Sequence, residues 1–255
     1  MNSNRKPVAV IIGATSKWQS DGRNTRLVHG GEIEDSELPV GKRWGVGGAI
    51  SQKFAQEGFF TVLTTRNADN AAPLDAAIRE MGGQSIIVEL DLSSRDSISS
   101  AFVQIRKLAG DPDVLIYNAG YLEGRELPPE KELLEHIPFE IFETAQHITS
   151  SGPFLVTKEV LPAMRERGEG SILFSNNPSS LRGRKRYTGQ SLYYPRVMMR
   201  TMAQVLTEEY SEYGVHVANI VIDGTIDSPG TRALQSTQKR PELLINPVKI
   251  AEAFY

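Results

Sequence analysis

The stretch "VAVIIGAT" at residues 8–15, taken with "GVGGAI" at 45–50, decides how this chain folds. "VAVII" (8–12) is an unbroken apolar run closed by Gly13, the pattern of a strand covered on both faces. "GVGGAI" opens a helical pattern, with Ile50, Phe54 and Ala55 at helical spacing and Gly58 as its stop. Strand, glycine turn and helix together make an anion site. The glycines allow a tight turn, and the helix N-terminus offers N–H groups and partial positive charge to a diphosphate.

Between the two halves lies a polar, turn-rich interval, 16–44, holding Gly22, Gly30, Gly31, Pro39 and Gly41. The glycine pattern resumes at Gly45, so the interval is an insertion into the turn rather than a linker. It must emerge beside whatever the turn binds. It carries Trp18, Arg23, His29, Lys42, Arg43 and Trp44. A structureless loop of this length points to a lid over cofactor or substrate, or an arm toward a partner subunit. The opposite reading is that it blocks the turn.

Working outward, apolar strand patterns alternate with amphipathic helix patterns. Strands are expected at "FTVLTT" (60–65), "SIIVEL" (85–90), "DVLIY" (113–117), 171–174 and "VHVANIVI" (215–222). Helices are expected over 74–81, 97–108, 139–165 (with Pro162 near its end) and 197–213. Such alternation argues for one α/β domain over 1–255, a Rossmann-type, doubly wound parallel sheet in three α/β/α layers. "NPVKIAEAFY" (246–255) starts a helix with no stop signal, which suggests a C-terminal strand missing beyond it.

The 255 residues are 40% hydrophobic and 23% charged, with a formal net charge of -3. That balance provides no electrostatic footprint for nucleic acid or an anionic membrane, so neither is expected as a partner. "RGRKR" (182–186) reads as a solvated basic loop. There are no cysteines, which removes disulfides, thiolate ligands and cysteine nucleophiles, and fits a soluble, cytoplasmic protein. His29, His136, His147 and His216 lack ligand spacing, so no metal site is expected. His147 is expected as a packed helix histidine.

The strand ends carry the next signals. Asp91 follows the third strand, and Asn118-Ala119-Gly120 follows the fourth. Open α/β sheets bind ligands at those carboxyl ends. Here the sequence resembles the short-chain dehydrogenase/reductase family, over essentially the whole chain. The matching segments are "GAT…GVGGAI", "ELDL", "YNAG", "GPFLVTKEVLPAM", "GSILFSNN", "SLRG" and "GVHVANIVIDGTID". The resemblance implies that Gly13, Gly45, Gly47, Asp91, Asn118, Gly120 and Ile226 contact a dinucleotide. NAD selection uses an acid after the second strand, whereas NADP selection needs a cation for the ribose 2′-phosphate. The chain reads Thr64-Thr65-Arg66-Asn67 there, so Arg66 favours NADP(H) over NAD(H).

In that family a tyrosine exchanges the proton, a lysine four residues later lowers its pKa, a serine orients the substrate oxygen, and a helix asparagine completes a relay. This chain departs at each place. The lysine position falls on Arg196 and the tyrosine position on Leu192. Tyr193, three before the arginine, reaches a similar helix face, and Tyr194 is the other candidate. The serine position falls on Asn177, and the asparagine on Thr149. Arg196 stabilises a tyrosinate without joining a proton relay, and an Asn177 amide holds an oxygen as a serine would.

The expected function is therefore an NADP(H)-dependent oxidoreductase moving hydride between nicotinamide and a small carbonyl or alcohol. Its catalytic set is Tyr193, Arg196 and Asn177, on a homodimer or homotetramer. The alternatives are non-redox chemistry on the same scaffold, as a lyase, dehalogenase or isomerase, and a non-catalytic nucleotide-binding protein. The halohydrin dehalogenases are similar to the family, carry arginine for lysine and use no dinucleotide. They lose the glycine loop and keep the serine, the reverse of this chain.

Overall fold

Strand β1 (Val8–Ile12) is buried along its whole length, and its side chains divide between two cores. Val8, Val10 and Ile12 join Phe102, Ile105 and Val160 on one face, while Ala9 and Ile11 join Ile50, Phe54 and Leu74 on the other. The period of two along a strand makes this division, and it explains why the run needs no polar residue. The computed structural model describes residues 5–15, 38–120, 134–183, 194–232 and 240–255.

Five more strands complete a parallel sheet with β1: β2 (Phe60–Thr65), β3 (Gln84–Glu89), β4 (Val114–Tyr117), β5 (Gly170–Asn176) and β6 (Val215–Val221). Their order is β3-β2-β1-β4-β5-β6, with Ile11 opposite Leu63 on one side and Ile116 on the other. The winding direction reverses between β1 and β4, which opens a crevice at their carboxyl ends. The doubly wound sheet expected from the alternation is the one observed.

Short helix α1 (Val40–Arg43) precedes α2 (Gly45–Gln56) and α3 (Ala72–Glu80). α2, α3 and the C-terminal helix (Pro247–Phe254) cover one face through Ile50, Phe54, Ile78, Ile250 and Phe254. The other face lies under α4 (Arg95–Leu108), α6 (Gly152–Arg167) and α7 (Arg196–Tyr210). Ser94 caps α4 by accepting from the Ser97 N–H, and Asn246 caps the C-terminal helix at the Val248 N–H.

Two expectations are corrected. The long helix over 139–165 is broken: α5 (Phe139–Gln146) passes into a π turn, His147–Ser151, before α6 begins. The Gly152 N–H donates to the His147 carbonyl, and Pro153 has no N–H to give the Thr149 carbonyl. The end of the inserted interval is also structured. Residues 40–43 are helical and Trp44 is buried among Ala49, Ile50 and their neighbours. Residues 16–37 of that interval, with Trp18, Arg23 and His29, lie outside the described residues. No described helix is long and apolar enough to cross a membrane.

Candidate active site

The glycine turn forms where the β1 and β4 ends approach. Gly13 has φ 80°, and a Cβ on it would meet Ala119 Cα at 2.7 Å, so both backbone hand and space demand glycine. Asn118 Nδ2 donates to the Gly13 carbonyl at 3.0 Å, tying the β4 end to the turn. Gly47 packs its backbone directly on the Gly13 carbonyl, leaving no volume for a side chain. Gly45, at φ 65°, starts α2. The first turn of α2 has no side-chain cap on Trp44 and no acid. A bare, acid-free helix start over a glycine cradle fits a diphosphate.

Two residues expected to meet the adenosine side stand at neighbouring strand ends. Arg66 is exposed just beyond β2. Asp91 follows β3, and its Oδ1 accepts from the Ser93 N–H at 2.9 Å and the Ser93 hydroxyl at 2.6 Å. Those bonds hold the Asp91 carboxyl below the usual carboxylate range against the cost of partial burial, and the Arg66 charge adds to the effect. The described backbone beyond Arg66 is held by Asn67, whose Oδ1 accepts from the Asp69 N–H.

Arg196 begins α7 but points back into the sheet end. It is 9% exposed; its Nη1 lies 3.4 Å from the Ser175 carbonyl, and its Nη2 is 2.7 Å from where a Gly120 Cβ would stand. The guanidinium thus sits between the β4 and β5 ends. A chain of amides fixes this corner. Asn176 Nδ2 donates to the Arg196 carbonyl at 3.2 Å and to Asn219 Oδ1 at 2.9 Å, while Asn176 Oδ1 accepts from the Asn177 N–H. Asn177 Oδ1 caps the short turn Pro178–Ser180 by accepting from the Ser179 N–H at 3.0 Å. With that oxygen engaged, the amide has its Nδ2 donors to offer a substrate oxygen. Tyr194 is 55% exposed, and Tyr193 lies outside the described residues.

The π turn lies against the same corner. Tyr117 is fully buried and donates to the Ile148 carbonyl at 2.5 Å, supplying a partner that α-helical pairing would have provided. Burial pushes its phenol far above the ordinary value, with the nearby Arg196 charge pulling the other way. A Cβ on Gly152 would meet Tyr117 Oη at 2.6 Å, so phenol and glycine require each other. Thr149 is buried with its hydroxyl on the Ala145 carbonyl at 2.6 Å, and is spent on its own helix. His147, expected to be packed, is exposed on the turn's outer side. Tyr117 was missed because its phenol stands inside "YNAG", a motif read only for its asparagine and glycine.

The loop after β6 closes the site's remaining side. Ile226 pairs with Ile245 in an isolated bridge, and the Asp227 N–H donates to the Ile245 carbonyl at 2.8 Å. Asp227 is 4% exposed and takes two cations: Lys42 Nζ at 2.7 Å, from α1, and Arg232 Nη2 at 2.9 Å.

With this geometry in hand, comparison with known proteins is decisive. Residues 38–239 match the family model described as short chain dehydrogenase. The chain belongs to the short-chain dehydrogenase family. The match begins at residue 38, so β1 and Gly13 are joined to the family's pattern by strand pairing rather than by that match. The chain is 29% identical over 212 residues to an uncharacterised oxidoreductase of Bacillus subtilis (strain 168), covering 82% of this chain and 74% of that one. A putative short-chain dehydrogenase/reductase from Burkholderia xenovorans superposes with a TM-score of 0.75 at 19% identity, over 98% of this chain and 88% of that one. A gluconate 5-dehydrogenase from Burkholderia cenocepacia J2315, in complex with NADP and tartrate, gives 0.73 at 17% identity, over 98% and 86%. The two solved structures share the fold, and the protein is an enzyme of the oxidoreductase class.

Proposed function

We propose that this enzyme is an NADP(H)-dependent oxidoreductase that transfers hydride between nicotinamide and a small carbonyl or alcohol. Gly13, Gly45, Gly47, Asn118 and Gly120 hold the dinucleotide along the crevice, with Asp91 and Arg66 at its adenosine end and Ile226 at its nicotinamide end. When bound, the cofactor supplies the hydride. The protein's own groups handle the oxygen and its proton. Tyr193 gives or takes the proton, Arg196 lowers the cost of its phenolate, and Asn177 donates Nδ2–H to the substrate oxygen.

The observation that carries this reading is the placement of Arg196, a buried cation between Gly120 and Ser175 at the ends of β4 and β5. A guanidinium kept out of water there acts strongly on any charge developing beside it. The preference for NADP(H) rests on Arg66, with no acid in Thr64-Thr65-Arg66-Asn67, and on the NADP found in a relative's structure.

The test is NADPH oxidation by the purified protein against a broad panel of aldehydes and ketones. Turnover should appear with NADPH, and Tyr193→Phe should abolish it. Binding of NADPH without turnover of any carbonyl would favour a nucleotide-sensing protein. Chemistry on a substrate with no dinucleotide added would favour a lyase. Full turnover by Tyr193→Phe would remove Tyr193 from the set, with Tyr194→Phe the next variant.

We also read the chain as a single cytoplasmic domain, with 16–44 an insertion, that assembles as a homodimer or homotetramer. Exposed apolar side chains on α4, α6 and α7, among them Val103, Phe154, Val197 and Val205, support self-association. Light scattering on the purified chain tests it, and a monomer would overturn it.

A further inference from the structure

The insertion in the glycine turn is unexplained by the reaction alone, and its described end is a built structure. Trp44 is buried, Gln52 Nε2 donates to the Val40 carbonyl at 3.5 Å, and a Cβ on Gly41 would meet Val248 Cγ2 at 2.9 Å. From this anchored end, Lys42 reaches Asp227, a residue 185 positions away in sequence. Asp227 immediately follows Ile226, and its second partner, Arg232, comes from the short helix α8 (Pro229–Arg232). Thr231 ties the same loop by donating to the Ile226 carbonyl.

The two ends of this ion cluster belong to different halves of the cleft. Lys42 lies three residues before Gly45 of the phosphate turn, and Asp227 lies one after the residue assigned to the nicotinamide end. Asp227 and Lys42 have side chains only 6% and 20% exposed, so water screens their attraction little. An ion pair at the surface would contribute little here. A buried carboxylate shared by two cations holds its loop in one place.

We propose that Lys42, Asp227 and Arg232 form a clamp that positions the loop of Ile226 against the glycine turn, so that Lys42 sets affinity for the whole dinucleotide. These are positioning residues, and none is assigned to touch the reacting atoms. The inference rests on the proposed dinucleotide site. It makes residues 40–44 a brace across the cleft.

The test compares two ligands on the full chain by calorimetry: NADPH, which spans both halves, and adenosine bisphosphate carrying the ribose 2′-phosphate, which reaches only the adenosine half. Lys42→Met should weaken NADPH about tenfold, the scale of ordinary coupling between sites. It should leave the adenosine fragment within about twofold, as expected for distant, independent positions. Asp227→Asn should weaken NADPH at least as much, and the double variant should be no weaker than Asp227→Asn alone, because the Lys42 pair is already lost in that variant. General damage to the fold would weaken both ligands together, and a thermal melt of each variant registers it. Equal losses for the two ligands, additive losses in the double variant, or unchanged NADPH binding overturn the clamp. If the unaltered chain binds neither ligand, the proposed function falls and the clamp falls with it.

Discussion

Arg196 and Gly120 occupy one another's space: the arginine Nη2 lies 2.7 Å from the position a Cβ on Gly120 would take. The last residue of "YNAG" is therefore small because a guanidinium comes in from α7, 76 positions later in the chain. Backbone φ is not the constraint here, since Gly120 is not among the positive-φ glycines.

Gly120→Ala meets the far end of a flexible side chain, whereas Gly47→Ala meets the Gly13 backbone. The first should cost under about 1 kcal/mol of stability, and the second about 1–3 kcal/mol or more, because rigid backbone cannot move aside. Urea unfolding measures both. Gly120→Ala should still lower turnover by up to about a hundredfold, since displacing a site group by an ångström has that scale. Normal turnover in Gly120→Ala would detach Arg196 from the chemistry.

Arg66 stands exposed at the β2 end with its charge felt by Asp91. Arg66→Ala should weaken NADPH by about 10–100-fold while leaving NADH nearly unchanged, the range of one charged hydrogen bond. Paired titrations read this directly, and equal loss for both cofactors would contradict the proposed selectivity.

Tyr117 joins the sheet to the π turn through the Ile148 carbonyl. Tyr117→Phe keeps the ring and strands that carbonyl, a loss of about 1–3 kcal/mol. Burial raises the folded phenol above its ordinary value of 10.0, so the folded chain holds this proton after the unfolded chain has released it. Its contribution is complete below pH 10.0 and declines as pH rises beyond that. Wild-type stability should fall over that alkaline range more steeply than that of Tyr117→Phe, as denaturant melts at several pH values would record. Identical slopes would mean the phenol is hydrated.

Asp227 provides the opposite limb. Burial alone would raise its carboxyl, but the bonds and charges of Arg232 and Lys42 outweigh burial and hold it below its ordinary value of 3.8. The folded chain then stays ionised after the unfolded chain has taken up its proton. Stability from this group is present above the unfolded value and lost as pH falls below 3.8 through the depressed one. Asp227→Asn should flatten this part of the acid unfolding curve, and an unchanged acid limb would show that the two cations do not control the carboxyl.

Local pattern determined the frame. "VAVIIGAT" and the alternating runs after it specify a parallel sheet, because a strand buried on both faces tolerates only apolar side chains and each glycine stop marks where the chain must turn. The same logic placed Gly13, Asn118 and Gly120 at the strand ends, since those positions are set by strand length and register. What pattern could not supply is which distant groups meet there. The π turn needed Tyr117 from β4 to satisfy a carbonyl that helical spacing alone would have paired. Lys42 needed Asp227, brought to it by the fold and not by any spacing. Hydrophobic periodicity is a property of neighbours along the chain, whereas a buried charge finds its partner only after the core has closed around both.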